Sequence, residues 1–520
     1  MITLGIYLNP GNEEFKNTIN KMIYVDKSLL IEKIGTYSKA INQYICISRP
    51  RRFGKSTDAN MLVAYYSKGC DSHNLFNHLK ISNTENYQKD LNQHNVIHLN
   101  MQDFLSMTNS IEDMLILLSE EVIFELTQKY PVTTSRNILS LVLSRIFSQY
   151  NESFIFIIDE WDCVFRDFKQ DKEAQEKYLD FLRNLLKDKS YVKMCYMTGI
   201  LPIKKYGTHS ALNMFDEISM IEPRSYSEFM GFTEEEVKAL CEEYNVDFTM
   251  MQYWYNGYHL KENISIYSPR SVTASIADHN FLNYWSQTET FEALKEYIDL
   301  NFDGLKEDIT AMMAGMKVDI DISSFQNDMT TFHSKDDVMT LLIHLGYLGY
   351  DSINQKVYIP NNEVNGTFIT SVKNSNWNIV STMLKNSKNL LEATWNLDAK
   401  KVAEYIQEAH YETSILQYND ENALSYTISL AYIAAKEFYT IIRELPTGKG
   451  YADIAFIPKM DKPAMLIELK YNHDVETGID QIKKKNYPKG LEHYQNNLLL
   501  ISISYDKTTK EHSCMIEKLG

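Results

Sequence analysis

The sequence predicts an α/β domain built on a parallel sheet, then a helical and winged-helix-like connector, then a C-terminal α+β domain. Three observations carry this reading. Between Tyr44 and Thr198 short apolar runs alternate with longer amphipathic ones, the pattern of a sheet covered by crossover helices. From about residue 402 the order changes to helix, strand, strand, strand, helix, strand, with short turns that favour local hairpins. The length of 520 residues exceeds what one hydrophobic core serves, so several domains are expected. Their expected limits are 1–290, 291–400 and 401–520.

In chain order, "YICIS" is the first strand and a helix follows from about Lys55. "VIHLNM" is the second strand, with helices around 111–130 and 137–150. "FIFIID" is the third, a helix covers 173–187, and "KMCYMTG" is the fourth. The first and third strands end in the most chemically loaded residues, where open α/β sheets place their ligands. Residues 225–300 are helical and aromatic, and Trp254, Tyr258 and Trp285 are expected to pack rather than to stack on a ligand. "SKDDVMTLLIHLGYLGYDSINQKVYIPNNEV" reads as a helix and a short hairpin, like a winged helix; its helix is not basic, so packing is expected rather than DNA reading. Beyond 402 come a helix at 421–438, the strands "YTIIREL", "YADIAFI" and "AMLIELKY", a helix at 475–487, and the strand "NLLLISISY".

A net charge of −17 argues against a protein that coats nucleic acid non-specifically, although a local basic groove is compatible with it. Six cysteines without metal-type spacing, and no basic-then-apolar leader, fit a reducing cytoplasmic setting. The longest apolar runs have strand length, so no membrane span is expected.

"SRPRRFGKST" lies at a strand-to-helix turn and ends as a phosphate-binding loop does. Gly54 permits the tight turn, Lys55 reaches the β/γ-phosphates and Ser56 ligates Mg²⁺, with Arg51, Arg52, Phe53 and Thr57 flanking them. The first glycine of the usual pattern is replaced by Arg49. About a hundred residues later "FIFIIDEWD" places Asp159 to orient Mg²⁺ and Glu160 to polarise the attacking water. Together these predict a P-loop NTPase domain that takes ATP. Thr198, at the end of the fourth strand, is a candidate γ-phosphate sensor, with a turn or cap hydroxyl as the alternative. Arg270 in "YSPRSV" is read as a surface arginine rather than a distant phosphate sensor.

"YLNPGN", "IYVDKSLLIEKI", "SRPRRFGKST", "FIFIIDEWD", "MTGILPIKK", "WYNGYHL" and "IYSPRSV" together resemble the AAA-ATPase-like family of bacterial proteins, within the AAA and STAND-related P-loop group. The resemblance runs from near residue 3 to about 290. It implies that Arg49 is an accepted variant of the loop, and that "YVDKS" at 24–28 borders the nucleotide base.

In "GKGYADIAFIPKMDKPAMLIELKYN" the alternation of a strand puts Glu468 and Lys470 on one face, and hairpin pairing brings Asp453 to the same face. Two carboxylates and an ammonium suit metal-dependent phosphodiester hydrolysis with Mg²⁺ or Mn²⁺. The layout resembles the PD-(D/E)XK nuclease superfamily, a restriction-endonuclease-like fold. That resemblance adds Glu421, or Asp420 in its place, as a metal ligand on the preceding helix and Gln481 as a polar residue on the following one. Lys483, Lys484, Lys485 and Lys489 form either a solvated face or a path for a nucleic-acid backbone. The expected function is ATP binding and hydrolysis that regulates DNA cleavage. The alternative is a nucleotide-operated switch or scaffold whose nuclease-like domain binds nucleic acid or protein without cutting. ATP and DNA are the expected partners, and a homo-oligomer is compatible with the sequence.

Overall fold

The computed structural model describes residues 4–519 apart from 204–211, 262–263, 286–290, 301, 327–328, 374–377, 413–420, 448–449, 460–461, 488–490, 492–493 and 495–496. The chain forms two compact units, Met1–Thr290 with Asp319–Asn365, and Phe291–Val318 with Gly366–Gly520. The stretch 291–400 is thereby divided between them.

The first unit is built on β1 (Tyr44–Ser48), β2 (Asn95–Asn100), β3 (Phe154–Asp159), β4 (Val192–Gly199) and β5 (Asp216–Ile218), in the spatial order β2-β3-β4-β1-β5. Every neighbouring pair is parallel. All residues of β1 and β3 are buried, as expected for strands covered on both faces by crossover helices. β4 lies between β1 and β3, so the carboxyl ends of these two strands flank Gly199 at one rim of the sheet. β5 is absent from the sequence reading because three residues, two of them acidic, carry no periodicity.

The helix Lys335–Leu345 is capped by the Ser334 side chain and ends at Gly346 in a left-handed conformation (φ 87°). The hairpin of β6 (Gly349–Asp351) and β7 (Lys356–Tyr358) follows. A Cβ on Gly346 would lie 2.7 Å from Pro50 and 2.8 Å from Trp285, so this segment packs directly on the loop after β1. Tyr258 donates its hydroxyl to the Gly346 carbonyl at 2.7 Å. Tyr258 and Trp285 are both buried, as the sequence suggests.

The second unit carries β8 (Tyr439–Thr447), β9 (Gly450–Pro458), β10 (Ala464–Tyr471), β11 (Leu498–Asp506) and β12 (Glu511–Leu519), neighbours in that order. The sheet is mixed: β10 and β11 are parallel, and the other pairs are antiparallel. The expected succession of hairpins is corrected here. The helix Val475–Lys484 crosses between β10 and β11, and a crossover returns a strand in parallel. β12, unread in the sequence, is an edge strand whose residues are mostly half-buried or exposed, without a clear alternation. The helix expected over 421–438 stops at Ala431 and continues as a 3-10 turn, Ile433–Glu437.

Alternation along β10 divides the unit into two cores. Met465, Ile467 and Leu469 pack with Leu424, Ile428 and Tyr432, while Leu466 packs with Ile479 and Ile482 of the crossover helix. Glu468 and Lys470 share the parity of Leu466, and so point towards the helix that carries Gln481. Among the described residues no helix is long and apolar enough to cross a membrane.

Candidate functional site

The strand β1 runs into Arg49, whose N–H donates to the Gly199 carbonyl at 3.0 Å. Its side chain turns inward and is 2% exposed. One Nη pairs with Asp58 at 2.5 Å, and the other donates to the Phe229 carbonyl at 2.6 Å. Arg49 therefore ties the loop to the helix Lys55–Tyr66. The loop turns through two left-handed residues, Arg52 (φ 70°) and Gly54 (φ 84°). Nothing lies within 4 Å of where a Gly54 Cβ would stand, so that face of the loop is open.

Lys55 donates from Nζ to the carbonyls of Arg49 and Pro50, at 3.1 and 3.0 Å. Burial lowers its pKa to about 8, against the opposing pull of Glu160 and Asp162. Ser56 is exposed and Thr57 half-buried at the start of the helix, with Arg51 and Arg52 exposed before it. Phe53 is buried and meets Tyr258 and Trp285 edge-on, so its ring anchors the loop.

At the end of β3, Asp159 is buried and its Oδ1 accepts from the Glu160 N–H at 2.9 Å. Glu160 adopts φ 53° and its Oε2 accepts from Arg166 at 2.5 Å. Burial raises the Glu160 pKa, with Lys55 and Arg166 opposing it. Asp162 accepts from the N–H groups of Ile200 and Leu201 at 3.1 and 2.9 Å, which fixes the chain after β4. The expectation for Thr198 is corrected: it is fully buried, and its hydroxyl donates to the Ile47 carbonyl at 2.7 Å. Its side chain points across to β1 and is spent between strands.

Lys55, Ser56, Glu160 and Arg166 line a cavity of about 660 Å³ together with Arg51 and Asn100. A second cavity, of about 680 Å³, is lined by Tyr24, Val25, Lys27, Arg270 and Tyr284. Arg52, Gly54 and Thr57 line both, so the two spaces adjoin across the loop. The segment 24–28 expected to border a base contributes to this second cavity, and Arg270 stands on its wall rather than apart from it. The sequence reading missed Arg166 and Asp58. Arg166 follows Asp162 by one helical turn, and that spacing was the available signal.

In the second unit Asp453 accepts the Leu469 N–H through Oδ2 at 2.7 Å. Glu468 is 2% exposed, and its Oε1 accepts from Lys470 Nζ at 2.8 Å and from the Gln481 amide. Gln481 is also 3.3 Å from the Tyr487 hydroxyl. The structure thus brings Asp453, Glu468, Lys470 and Gln481 together. Burial, and then the charge of Asp453, raise the Glu468 pKa to about 7. Its Oε2 is buried without a hydrogen bond. A divalent cation fits this donor set, because it would occupy the unpartnered oxygen and relieve the repulsion between the two carboxylates.

Glu421 opens the helix Glu421–Ala431, but its side chain, like Asp420 and Lys489, lies outside the described residues. Among the described residues no group of three or more His, Cys, Asp or Glu is gathered as a metal site. Lys483 pairs with Glu517 at 2.5 Å, which removes it from the free lysine face.

Residues 10–208 match the AAA-ATPase-like family, described as a predicted AAA-ATPase, and residues 406–513 match the PD-(D/E)XK nuclease superfamily. The "Uncharacterized protein in vnfD 5'region" of Azotobacter chroococcum mcd 1 is 25% identical over 286 residues, covering 52% of this chain and 53% of that protein. The chain therefore spans about half the length of this relative. Among solved structures, the Walker-type ATPase PABY2304 of Pyrococcus abyssi aligns with 66% of this chain and 96% of its own, at 11% identity and a TM-score of 0.35. The ORC2 protein of Aeropyrum pernix in its ADPNP–ADP complexes aligns with 68% and 97%, at 9% identity and a TM-score of 0.32. The chain joins an AAA-ATPase-like domain, matched over 10–208, to a PD-(D/E)XK nuclease superfamily domain, matched over 406–513.

Proposed function

We propose that the protein binds and hydrolyses ATP, and that its nucleotide state regulates metal-dependent cleavage of DNA by the C-terminal domain. The observation that carries the nuclease half is the unpartnered Glu468 oxygen beside Asp453, Lys470 and Gln481. The ATP half is supported by two adjoining cavities that share Gly54, one lined by Lys55 and Ser56, the other with the room and mixed lining a base and ribose need.

At the nucleotide site Lys55 holds the β/γ-phosphates, Ser56 and Asp159 would hold Mg²⁺, and Glu160 takes the proton of the attacking water. At the nuclease site Asp453 and Glu468, with Glu421 as the third acid, would hold Mg²⁺ or Mn²⁺. Lys470 orients the attacking water and offsets charge developing on the phosphate, while Gln481 fixes the Glu468 carboxylate. When bound, the divalent ion supplies Lewis-acid polarisation of a phosphoryl oxygen and a lowered water pKa. Six free cysteines support a reducing, cytoplasmic location.

A second reading is a nucleotide-operated switch or scaffold whose nuclease-like domain binds nucleic acid or protein without cutting. A divalent-metal nuclease assay with and without ATP separates the two. Wild type is expected to cut DNA, Lys470→Ala to lose at least about a hundredfold in rate, and Lys55→Ala to lose the response to ATP. Measurable ATP turnover with no cleavage of any DNA substrate would leave only the second reading.

A further inference from the structure

Arg166 stands where two chemical demands compete. It lines the cavity of Lys55 and Ser56, yet one Nη is held by the Glu160 carboxylate at 2.5 Å. A carboxylate whose oxygen accepts so close a charge-assisted bond is a poor acceptor for the proton of water. The contact therefore suppresses the role proposed for Glu160.

Two features of the surroundings favour exchange of this pairing. The base of the guanidinium has a second carboxylate beside it, with Nε 3.4 Å from Asp162, an ion pair without a hydrogen bond. Asp162 is itself fully buried and fixed by the N–H groups of Ile200 and Leu201, so it compensates Arg166 even when Glu160 is released. The Nη that holds Glu160 also lies 3.4 Å from the Gln102 oxygen, a weak contact that offers little resistance once Glu160 is released. Turning the tip towards the cavity therefore breaks one strong bond, that to Glu160, while the Asp162 carboxylate stays beside the stem. A γ-phosphate offers three strong acceptor oxygens and more charge than a carboxylate, so it outcompetes Glu160 for the fork.

We propose that Arg166 is a γ-phosphate ligand that latches Glu160 in the absence of ATP and frees it when ATP binds. This rests on the reading of the first unit as an ATP site. With ATP bound, the guanidinium moves to the γ-phosphate and Glu160 becomes available to water. Attack forms the bond between the water oxygen and the γ-phosphorus and breaks the bond to the β,γ-bridging oxygen. That electron pair stays with ADP, and the water proton passes to Glu160. Loss of the γ-phosphate then returns Arg166 to Glu160, so the ADP form is latched again. The latch would make hydrolysis conditional on a complete triphosphate, and would give the protein a means of telling ATP from ADP inside one chain.

The test is a double-mutant cycle on nucleotide affinity in the full chain, read by titration with fluorescent ATP and ADP analogues. Arg166→Ala is expected to lower the ratio of ATP to ADP affinity about tenfold while ADP affinity changes little. Glu160→Gln releases the guanidinium, so ATP affinity is expected to rise about tenfold when Arg166 is present and less than threefold in Arg166→Ala. Arg166→Lys keeps the charge and should recover part of the ratio, which separates ligand contact from a misfolded loop. Equal losses of ATP and ADP affinity in Arg166→Ala, or the same gain from Glu160→Gln with and without Arg166, would overturn the latch and leave the ATP site standing. Absence of nucleotide binding by wild type would overturn both.

Discussion

Glu468 is a carboxyl group that its surroundings ask to stay protonated. Its pKa rises from an ordinary 4.5 to about 7, first through burial and then through Asp453. The folded protein holds this proton more tightly than the unfolded chain does. The stabilisation is therefore complete below about pH 4.5 and is lost as pH rises through about 7. Without divalent ions, wild type should lose stability across that window, and Glu468→Gln should not. The difference at pH 8 should reach up to roughly 3 kcal/mol in favour of the variant. Thermal unfolding in a chelator from pH 4.5 to 8 measures it. Added Mg²⁺ or Mn²⁺ should reverse the order, because the ion takes the ionised form and the amide holds it poorly. A wild-type profile that stays parallel to that of the variant at every pH would refute the assignment.

At the scale of elements, Arg49 joins the end of β1 to the helix Lys55–Tyr66 through Asp58. Both side chains are almost fully buried, 2% and 6% exposed. Removing one member of such a pair leaves an uncompensated charge in the interior, which costs about 3–5 kcal/mol. Arg49→Gly, although it restores the usual first glycine of a phosphate loop, should lower the unfolding temperature and weaken ATP binding. Arg49→Ala with Asp58→Ala should recover much of the lost stability, and calorimetry of wild type and the two variants checks this. A neutral Arg49→Gly would show that the pair does not hold the loop. Position 49 also shows what the sequence could not carry. Most of the strands, and the shared face of Glu468 and Lys470, were legible because each sits in a local run whose periodicity fixes its face, while Lys55 and Asp159 were placed by a loop pattern and a strand end. The partners of Arg49, in contrast, are Asp58 and the Phe229 carbonyl, 180 residues away, and no local pattern points to Phe229. Thr198 failed for the same reason in reverse: its place at a strand end was right, but its rotation towards Ile47 is decided by the neighbouring strand. The parallel pairing of β10 and β11 was obscured because a ten-residue crossover helix was read without its topological consequence.

For the whole molecule, regulation of cutting by ATP requires a coupling free energy between the two domains, and such a coupling is reciprocal. If ATP changes DNA affinity by some factor, DNA must change ATP affinity by the same factor. Glu160→Gln, expected to bind ATP without turnover, combined with Lys470→Ala, expected not to cut, allows both to be measured at equilibrium by titration. We expect a factor of about 5–150 in each direction. A factor of one in both would show that the two domains act independently. With a net charge of −17, DNA binding should also be confined to a small surface, so its salt slope should report only a few phosphates. Arg49 and Asp58 have a last consequence, which concerns descent rather than energy. If each single change costs what is expected above, a chain carrying this arginine reaches the glycine form more readily by changing Arg49 and Asp58 together than by changing either alone. The two positions should therefore vary together or not at all, and a search that demands the leading glycine will pass over every protein built this way.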